Sequence, residues 1–123
     1  MGDRGAALVV RRDQGQVAVL SVRAKEVRQA DTLAELGRQV RRAIEAGDAA
    51  SFVLDLGEVE FLSSAALGLI INLRAHLTGR DYGFSVAAAT SDVATVFRHA
   101  HLEKVLPLYA TVEEAVRARC EGV

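Results

Sequence analysis

The segment Ser51–Leu77, SFVLDLGEVEFLSSAALGLIINLRAHL, constrains the fold of this chain most strongly. Near its start, Phe52–Leu56 is a nearly continuous apolar run, which is typical of a strand covered on both faces of a parallel sheet. An acidic turn follows, and two serines, Ser63 and Ser64, then precede an apolar stretch with helical spacing. Because serine is a preferred N-cap residue, we predict a helix from about Ser64 onwards. This order of strand, loop and helix favours an α/β fold.

The rest of the chain continues this alternation of strands and helices. Apolar runs at Ala7–Arg12 and Val17–Val22 predict an antiparallel hairpin with Gly15 in its loop. The remaining predicted elements are a helix opened by a Thr32–Glu35 capping box, a strand over Phe84–Ala89, a helix capped by Ser91, a strand over Val105–Tyr109 and a helix opened by Thr111. Single helices between successive strands imply parallel pairing, so the order predicts one mixed sheet.

Length and charge limit the classes of protein to which the chain can belong. Its 123 residues suffice for one domain, which we expect to span 1–123 with a core at about 7–120. The formal net charge is −1, and no basic stripe is visible, so direct binding to nucleic acid or to an anionic membrane is not expected. The longest uncharged run, Phe61–Leu73, is shorter than the roughly 20 residues that span a bilayer. We therefore expect no membrane insertion.

The ends of the chain predict a cytoplasmic location. Met1–Gly5 is too short and too polar for a secretory signal. Cys120 is the single cysteine of the sequence and cannot form an internal disulfide, which favours a reducing compartment.

No pattern of catalytic or cofactor-binding residues stands out in the sequence. Gly57 and Gly68 lack the spacing of a phosphate-binding loop. His99 and His101 lack the further ligands of a metal site, and we expect them on the surface at a helix end. Asp55 follows a strand, where an aspartate commonly bonds loop N–H groups, although a role in a ligand site is an alternative. We predict no enzyme, no metal and no cofactor.

The stretch from Val53 to Ile70 resembles the signature of the STAS domain, the fold of the bacterial anti-sigma factor antagonists. The family pattern is an apolar strand ending in Asp-Leu, a turn, and Phe-Ile-Asp-Ser-Ser-Gly-Leu-Gly; this chain has VLDL and then FLSSAALG. Ser63 therefore stands where the pattern has Asp, and Ala66 where it has Gly. The resemblance implies a single STAS-like domain, with a mixed sheet, an N-terminal hairpin and about four helices packed on it.

The same resemblance implies a regulatory binding protein. The expected partner is a cytoplasmic anti-sigma factor with serine kinase activity, which phosphorylates the antagonist and so ends the binding. Matched residue by residue, the phosphoacceptor falls on Ser64, with Ser63 the less favoured candidate. ATP is then a substrate of the kinase, and this chain needs no cofactor of its own.

The predicted second helix has an unusual outward face. At about 100° per residue, one row of side chains faces the sheet: Ala66, Ile70, Leu73 and Leu77. The opposite row consists of Ser64, Gly68, Ile71 and Ala75. Solvated helix faces normally carry charged residues, so this row indicates a docking surface. The predicted partner contacts are Ser63, Ser64, Leu67, Gly68 and Ile71.

Several alternatives stay open at the level of sequence. Both serines fit a purely structural role as helix caps. The apolar face fits coverage by the loop Thr78–Gly83 or by a second copy in a homodimer. A STAS-like chain that acts independently of phosphorylation would be a scaffold or an accessory subunit of a signalling or lipid-transport complex. A sensor that binds a small molecule at the carboxyl edge of the sheet is a further alternative.

Overall fold

The computed structural model describes residues 7–120, except for the side chain of Cys120, and shows a sheet with helices on both faces. The strands are β1 (Val9–Gln14), β2 (Val17–Val22), β3 (Glu26–Val27), β4 (Ser51–Asp55), β5 (Phe61–Leu62), β6 (Gly83–Ala87) and β7 (Leu108–Tyr109). The helices are α1 (Ala30–Glu45), α2 (Ser64–Gly79), α3 (Ser91–His99) and α4 (Val112–Cys120). A short 3-10 turn spans Leu102–Lys104. Met1–Gly5, which was predicted not to be a secretory signal, lies outside the described residues.

Five strands form the main sheet in the order β1-β2-β4-β6-β7. The β1–β2 pair is antiparallel, and the other neighbouring pairs are parallel. The predicted mixed sheet with an N-terminal hairpin and four helices is therefore confirmed. A separate parallel pair, β3–β5, was not predicted, since two-residue strands are too short to show a periodic pattern.

The sheet carries a different layer on each face. The larger core contains inward side chains of α1, α2 and α3, whereas the smaller core is closed by α4. In β4, Phe52 and Leu54 point into the larger core, and Val53 points into the smaller one. Burial on both faces explains why this strand reads as a continuous apolar run.

Two of the predicted helix starts are wrong. Helix α1 begins at Ala30 after Gln29, which makes no side-chain cap hydrogen bond, and Thr32 lies within the first turn. Glu35 does not complete a capping box, because its carboxylate accepts hydrogen bonds from Arg38 and Gln39. The cap of α3 is Thr90, one residue before the predicted Ser91. The error at α3 arises because Thr90 and Ser91 are both preferred cap residues, whereas the start of α1 carries no such signal, since glutamine is not a preferred cap type.

Four strand boundaries also differ from the prediction, and β4 is shifted by one residue, from Phe52–Leu56 to Ser51–Asp55. Strand β1 continues to Gln14, because the hairpin turn needs only Gly15, at φ 65°, and Gln16. Strand β6 spans Gly83–Ala87 instead of Phe84–Ala89. Strand β7 is confined to Leu108–Tyr109, because the N–H groups of Val105 and Leu106 still donate to the carbonyl of Leu102 in the 3-10 turn.

Candidate protein-docking site

The start of α2 is fixed to the rest of the fold by backbone hydrogen bonds. The N–H of Ser63 donates to the carbonyl of Val27 at 3.1 Å, extending the β3–β5 pair by one residue. Earlier in the same connection, the N–H of Leu56 donates to Ala87 at 3.0 Å, which ties the exit of β4 to β6. The two serines therefore lie at a defined position beyond the carboxyl end of β4.

The two serines of the motif have different environments. Ser63 is the N-cap of α2, with an extended backbone, and its Oγ accepts a hydrogen bond from the N–H of Ala66 at 3.2 Å. Ser64 is the first helical residue, is exposed, and makes no side-chain hydrogen bond within residues 7–120. The structural role predicted for Ser63 is confirmed, and the hydroxyl of Ser64 is left available.

Asp55 has a structural role at the end of β4. One carboxylate oxygen accepts the N–H of Gly57 at 2.9 Å, and the other accepts the hydroxyl of Ser21 at 2.9 Å. The predicted bond to loop backbone is thus confirmed. Because both oxygens are engaged, Asp55 holds the turn after β4 and the end of β2 together.

The predicted orientation of α2 is confirmed by burial. The row expected to face the sheet is buried: Ala66, Ile70, Leu73 and Leu77. In the opposite row, Ser64 and Ala75 are exposed, and Ile71 exposes 45% of its surface. A β-carbon added at Gly68 would have no atom within 4 Å outside its own local backbone. The loop after α2 therefore does not cover this face.

The two departures from the STAS pattern lie at the cap of α2 and in the core, and not in the outward row of α2. Ser63 replaces an aspartate, and serine and aspartate are both strong N-cap residues. The methyl group of Ala66, in place of a glycine, is buried, with only 1% of the residue exposed. Neither substitution adds bulk or charge to the row formed by Ser64, Gly68 and Ile71.

Two exposed apolar residues beside α2 were not among the partner contacts predicted from the sequence. Phe61 is 44% exposed, and the guanidinium of Arg28 lies over its ring at 5.5 Å. Val105 is 49% exposed, and its carbonyl accepts a hydrogen bond from Nε of Arg74 at 2.8 Å. Glu60 is polar, but Phe61 and Leu62 are both apolar, so the sequence has no alternation there that would indicate that Phe61 is exposed.

The residues considered for metal binding do not come together. His99 and His101 are both exposed near the end of α3, as predicted. Among the described residues, no group of three or more histidine, cysteine, aspartate or glutamate side chains has an arrangement suited to a metal ion. None of the helices among these residues has the length and apolar character needed to cross a membrane.

Comparison with known proteins identifies the family. Residues 29–115 match the STAS domain, and the chain belongs to the STAS domain family. It is similar to an anti-sigma factor antagonist from Mycobacterium paratuberculosis, with 30% identity over 89% of this chain and 91% of that one, and a TM-score of 0.75.

Two further solved structures share the fold. An anti-sigma factor antagonist (STAS) domain protein from Planctomyces limnophilus has 22% identity over 89% of this chain and 95% of that one, with a TM-score of 0.78. The unphosphorylated form of the anti-sigma factor antagonist SpoIIAA has 18% identity over 94% and 97% of the two chains, with a TM-score of 0.73. SpoIIAA, a Bacillus cell fate determinant, has also been solved in a phosphorylated form.

Proposed function

We propose that this chain is an anti-sigma factor antagonist. In its unphosphorylated form it binds a cytoplasmic anti-sigma factor that is also a serine kinase, and the sigma factor is released. Phosphorylation of Ser64 by that partner ends the binding. The proposal rests on the family, on the antagonists among the similar structures and on one structural observation, the free hydroxyl at the start of an uncharged outward helix face.

Ser64 is the better phosphoacceptor of the two serines for a geometric reason. A kinase must approach the attacking hydroxyl, and Ser64 is exposed at the first helical position. Ser63 is half-buried, and its oxygen already accepts the N–H of Ala66. Transfer to Ser63 would first require its Oγ to be released from this capping hydrogen bond.

The kinase and its ATP supply the phosphate, the leaving group and the base that the transfer to Ser64 requires. A bond forms between Oγ of Ser64 and the γ-phosphorus of ATP, and the bond from that phosphorus to the leaving oxygen of ADP breaks. The hydroxyl proton passes to a base of the kinase. This chain contributes the nucleophile and its position, and the partner contributes the remaining chemistry.

A phosphate on Ser64 would disrupt docking while leaving the fold intact. The group carries about −1.5 to −2 charges at neutral pH. At a helix N-terminus this charge is favourable by roughly 0.3–1 kcal/mol. An interface that includes Ile71 and Gly68, by contrast, would have to desolvate the dianion, which is strongly unfavourable.

The first test is a phosphorylation assay with a partner captured from the native cells. The anti-sigma factor that co-purifies with this chain is identified, purified and incubated with labelled ATP and wild type, Ser63→Ala or Ser64→Ala. We expect label on wild type and on Ser63→Ala, and none on Ser64→Ala. Peptide mass spectrometry over Leu56–Arg74 gives the position of the phosphate.

Binding measurements separate a switch from a scaffold. We expect Ser64→Asp and Ile71→Glu to lose the anti-sigma factor, while Ser64→Ala keeps it; all three variants should remain folded. Equal binding by Ser64→Ala and Ser64→Asp, together with no phosphate on the native protein, would instead establish a phosphorylation-independent scaffold or accessory subunit.

A further inference from the structure

Two exposed apolar residues lie on or near the side of α2 that faces the α3–β7 connection, and Arg74 of the helix contacts one of them. Ile71 is 45% exposed on α2, and Val105 is 49% exposed after the 3-10 turn. Arg74 follows Ile71 by three residues, so the two lie on the same side of the helix. Its Nε donates to the carbonyl of Val105 at 2.8 Å. This bond holds the backbone of Val105 beside the flank of α2 that carries Arg74.

Leu67 extends the same surface towards the helix start. Leu67, Ile71 and Arg74 have the i, i+4, i+7 spacing of a single helical stripe. Leu67 is half-buried and packs against the main core, which gives the stripe a rigid base. We call Leu67, Ile71, Arg74 and Val105 the seam surface.

The charge of the seam surface is positive. Helix α2, Ser64–Gly79, contains Arg74 and no carboxylate. Of the guanidinium nitrogens of Arg74, Nε alone makes a hydrogen bond within residues 7–120, and the terminal nitrogens are not buried without partners. Next to Val105, the exposed Lys104 and Glu103 offset each other in charge, so the positive charge of the seam surface is that of Arg74. The full sequence, in contrast, has a formal net charge of −1.

We infer that the seam surface is the second half of the docking site, and that the partner inserts a carboxylate between two apolar contacts. The carboxylate of an aspartate or glutamate pairs with the terminal nitrogens of Arg74, which form a planar fork suited to it. Apolar side chains of the partner cover Ile71 on one side and Val105 on the other. This inference rests on the proposed function, since the occupant is the same anti-sigma factor.

The test compares two exposed valines on opposite parts of the molecule. Val105→Asp places a carboxylate beside Arg74, where it competes with that of the partner. Val10, 41% exposed on the edge strand β1, supplies the control Val10→Asp. Calorimetric titration with the purified anti-sigma factor should show at least tenfold weaker binding for Val105→Asp and a change of less than twofold for Val10→Asp. Circular dichroism checks that both variants are folded.

Salt dependence tests the carboxylate independently. Raising sodium chloride from 50 to 300 mM should weaken binding of wild type more steeply than binding of Arg74→Gln, because the variant lacks the charge. Arg74→Lys should recover the salt dependence but only part of the affinity, since lysine lacks the fork. Equal salt slopes for wild type and Arg74→Gln would contradict the paired carboxylate.

The remaining outcomes distinguish this inference from the proposed function. If Ile71→Glu abolishes binding and Val105→Asp does not weaken it, docking is confined to α2, and the seam inference is wrong. If Val105→Asp converts a dimer of this chain to a monomer in light scattering, the occupant is a second copy, which also overturns the inference. If wild type binds no anti-sigma factor, both proposals fail.

Discussion

The Oγ of Ser63 lies 3.2 Å from the N–H of Ala66, and this hydrogen bond separates the roles of two adjacent serines. Ser63 satisfies a backbone donor at the start of α2, whereas Ser64 extends into solvent. A phosphoacceptor next to a cap can be modified without removing the cap. The fold and the proposed switch therefore use neighbouring hydroxyl groups for separate purposes.

This separation predicts different effects of alanine at the two positions. Ser63→Ala should lower the free energy of unfolding by about 1 kcal/mol, because a helix donor loses its partner. Ser64→Ala should change it by less than about 0.5 kcal/mol, as expected for a surface substitution. Urea unfolding followed by circular dichroism measures both values. Equal losses would show that Ser63 is not the cap in solution.

We expect the substitution Gly68→Ala to have opposite effects on the stability of the fold and on binding of the anti-sigma factor. A methyl group there enters open space, and alanine is a better helix former than glycine by about 0.5–1 kcal/mol. Gly68→Ala should therefore raise the melting temperature while weakening capture of the anti-sigma factor, which loses close approach to the backbone. Thermal unfolding and calorimetric titration measure the two effects.

The control for Gly68 is Gly79, the last residue of the same helix. It also has open space around an added β-carbon, but it lies about 16 Å further along the helix axis. Gly79→Ala should leave partner binding unchanged. Weaker binding by both variants would indicate an indirect effect of helix stability rather than a steric effect at the docking face.

Replacing Ser85, which lies beneath α4, by alanine should not destabilise the fold. Ser85 is 0% exposed on β6, and its Oγ has no hydrogen-bond partner among the residues that the structure describes. A buried hydroxyl without a partner costs roughly 1–3 kcal/mol, so Ser85→Ala should leave stability unchanged or raise it by about 1 kcal/mol. Exposed Ser91 provides the matched control, with no expected change for Ser91→Ala. Clear destabilisation by Ser85→Ala would mean that the hydroxyl is satisfied in solution.

Glu35 predicts a pH-dependent contribution to stability. Hydrogen bonds from Gln39 and then Arg38 lower the pKa of Glu35 below its ordinary value of 4.5. A carboxyl whose pKa is lowered by folding stabilises the fold above the pKa of the unfolded state. That contribution disappears as the pH falls through the lower pKa of the folded state.

The measurement is the melting temperature of wild type and Glu35→Gln between pH 7 and about pH 3. Wild type should melt higher at pH 7, and the difference should shrink as the solution becomes more acidic. Glu60 is exposed and has no ion pair among the described residues, so Glu60→Gln should follow wild type. A difference for Glu35→Gln that does not depend on pH would contradict the assignment.

The sequence alone determined the features that depend on neighbouring residues. The bounds of β2 and the inward row of α2 follow from hydrophobic periodicity, which is a property of a single strand or helix. The cap at Ser63 and the backbone bond of Asp55 span three residues or fewer. The family motif was readable for the same reason, because it lies within one strand, turn and helix.

Tertiary structure decided what depends on residues distant in the chain. The hydroxyl of Ser21 reaches Asp55, and Arg74 reaches Val105, across 34 and 31 positions respectively. No local pattern encodes such partners, because they meet only after the crossovers have set the order of the strands. The exposure of Ile71 is likewise a result of what the loop after α2 leaves uncovered. The proposed docking face was thus visible in the periodicity of one helix, whereas its proposed extension to Val105 required the folded chain.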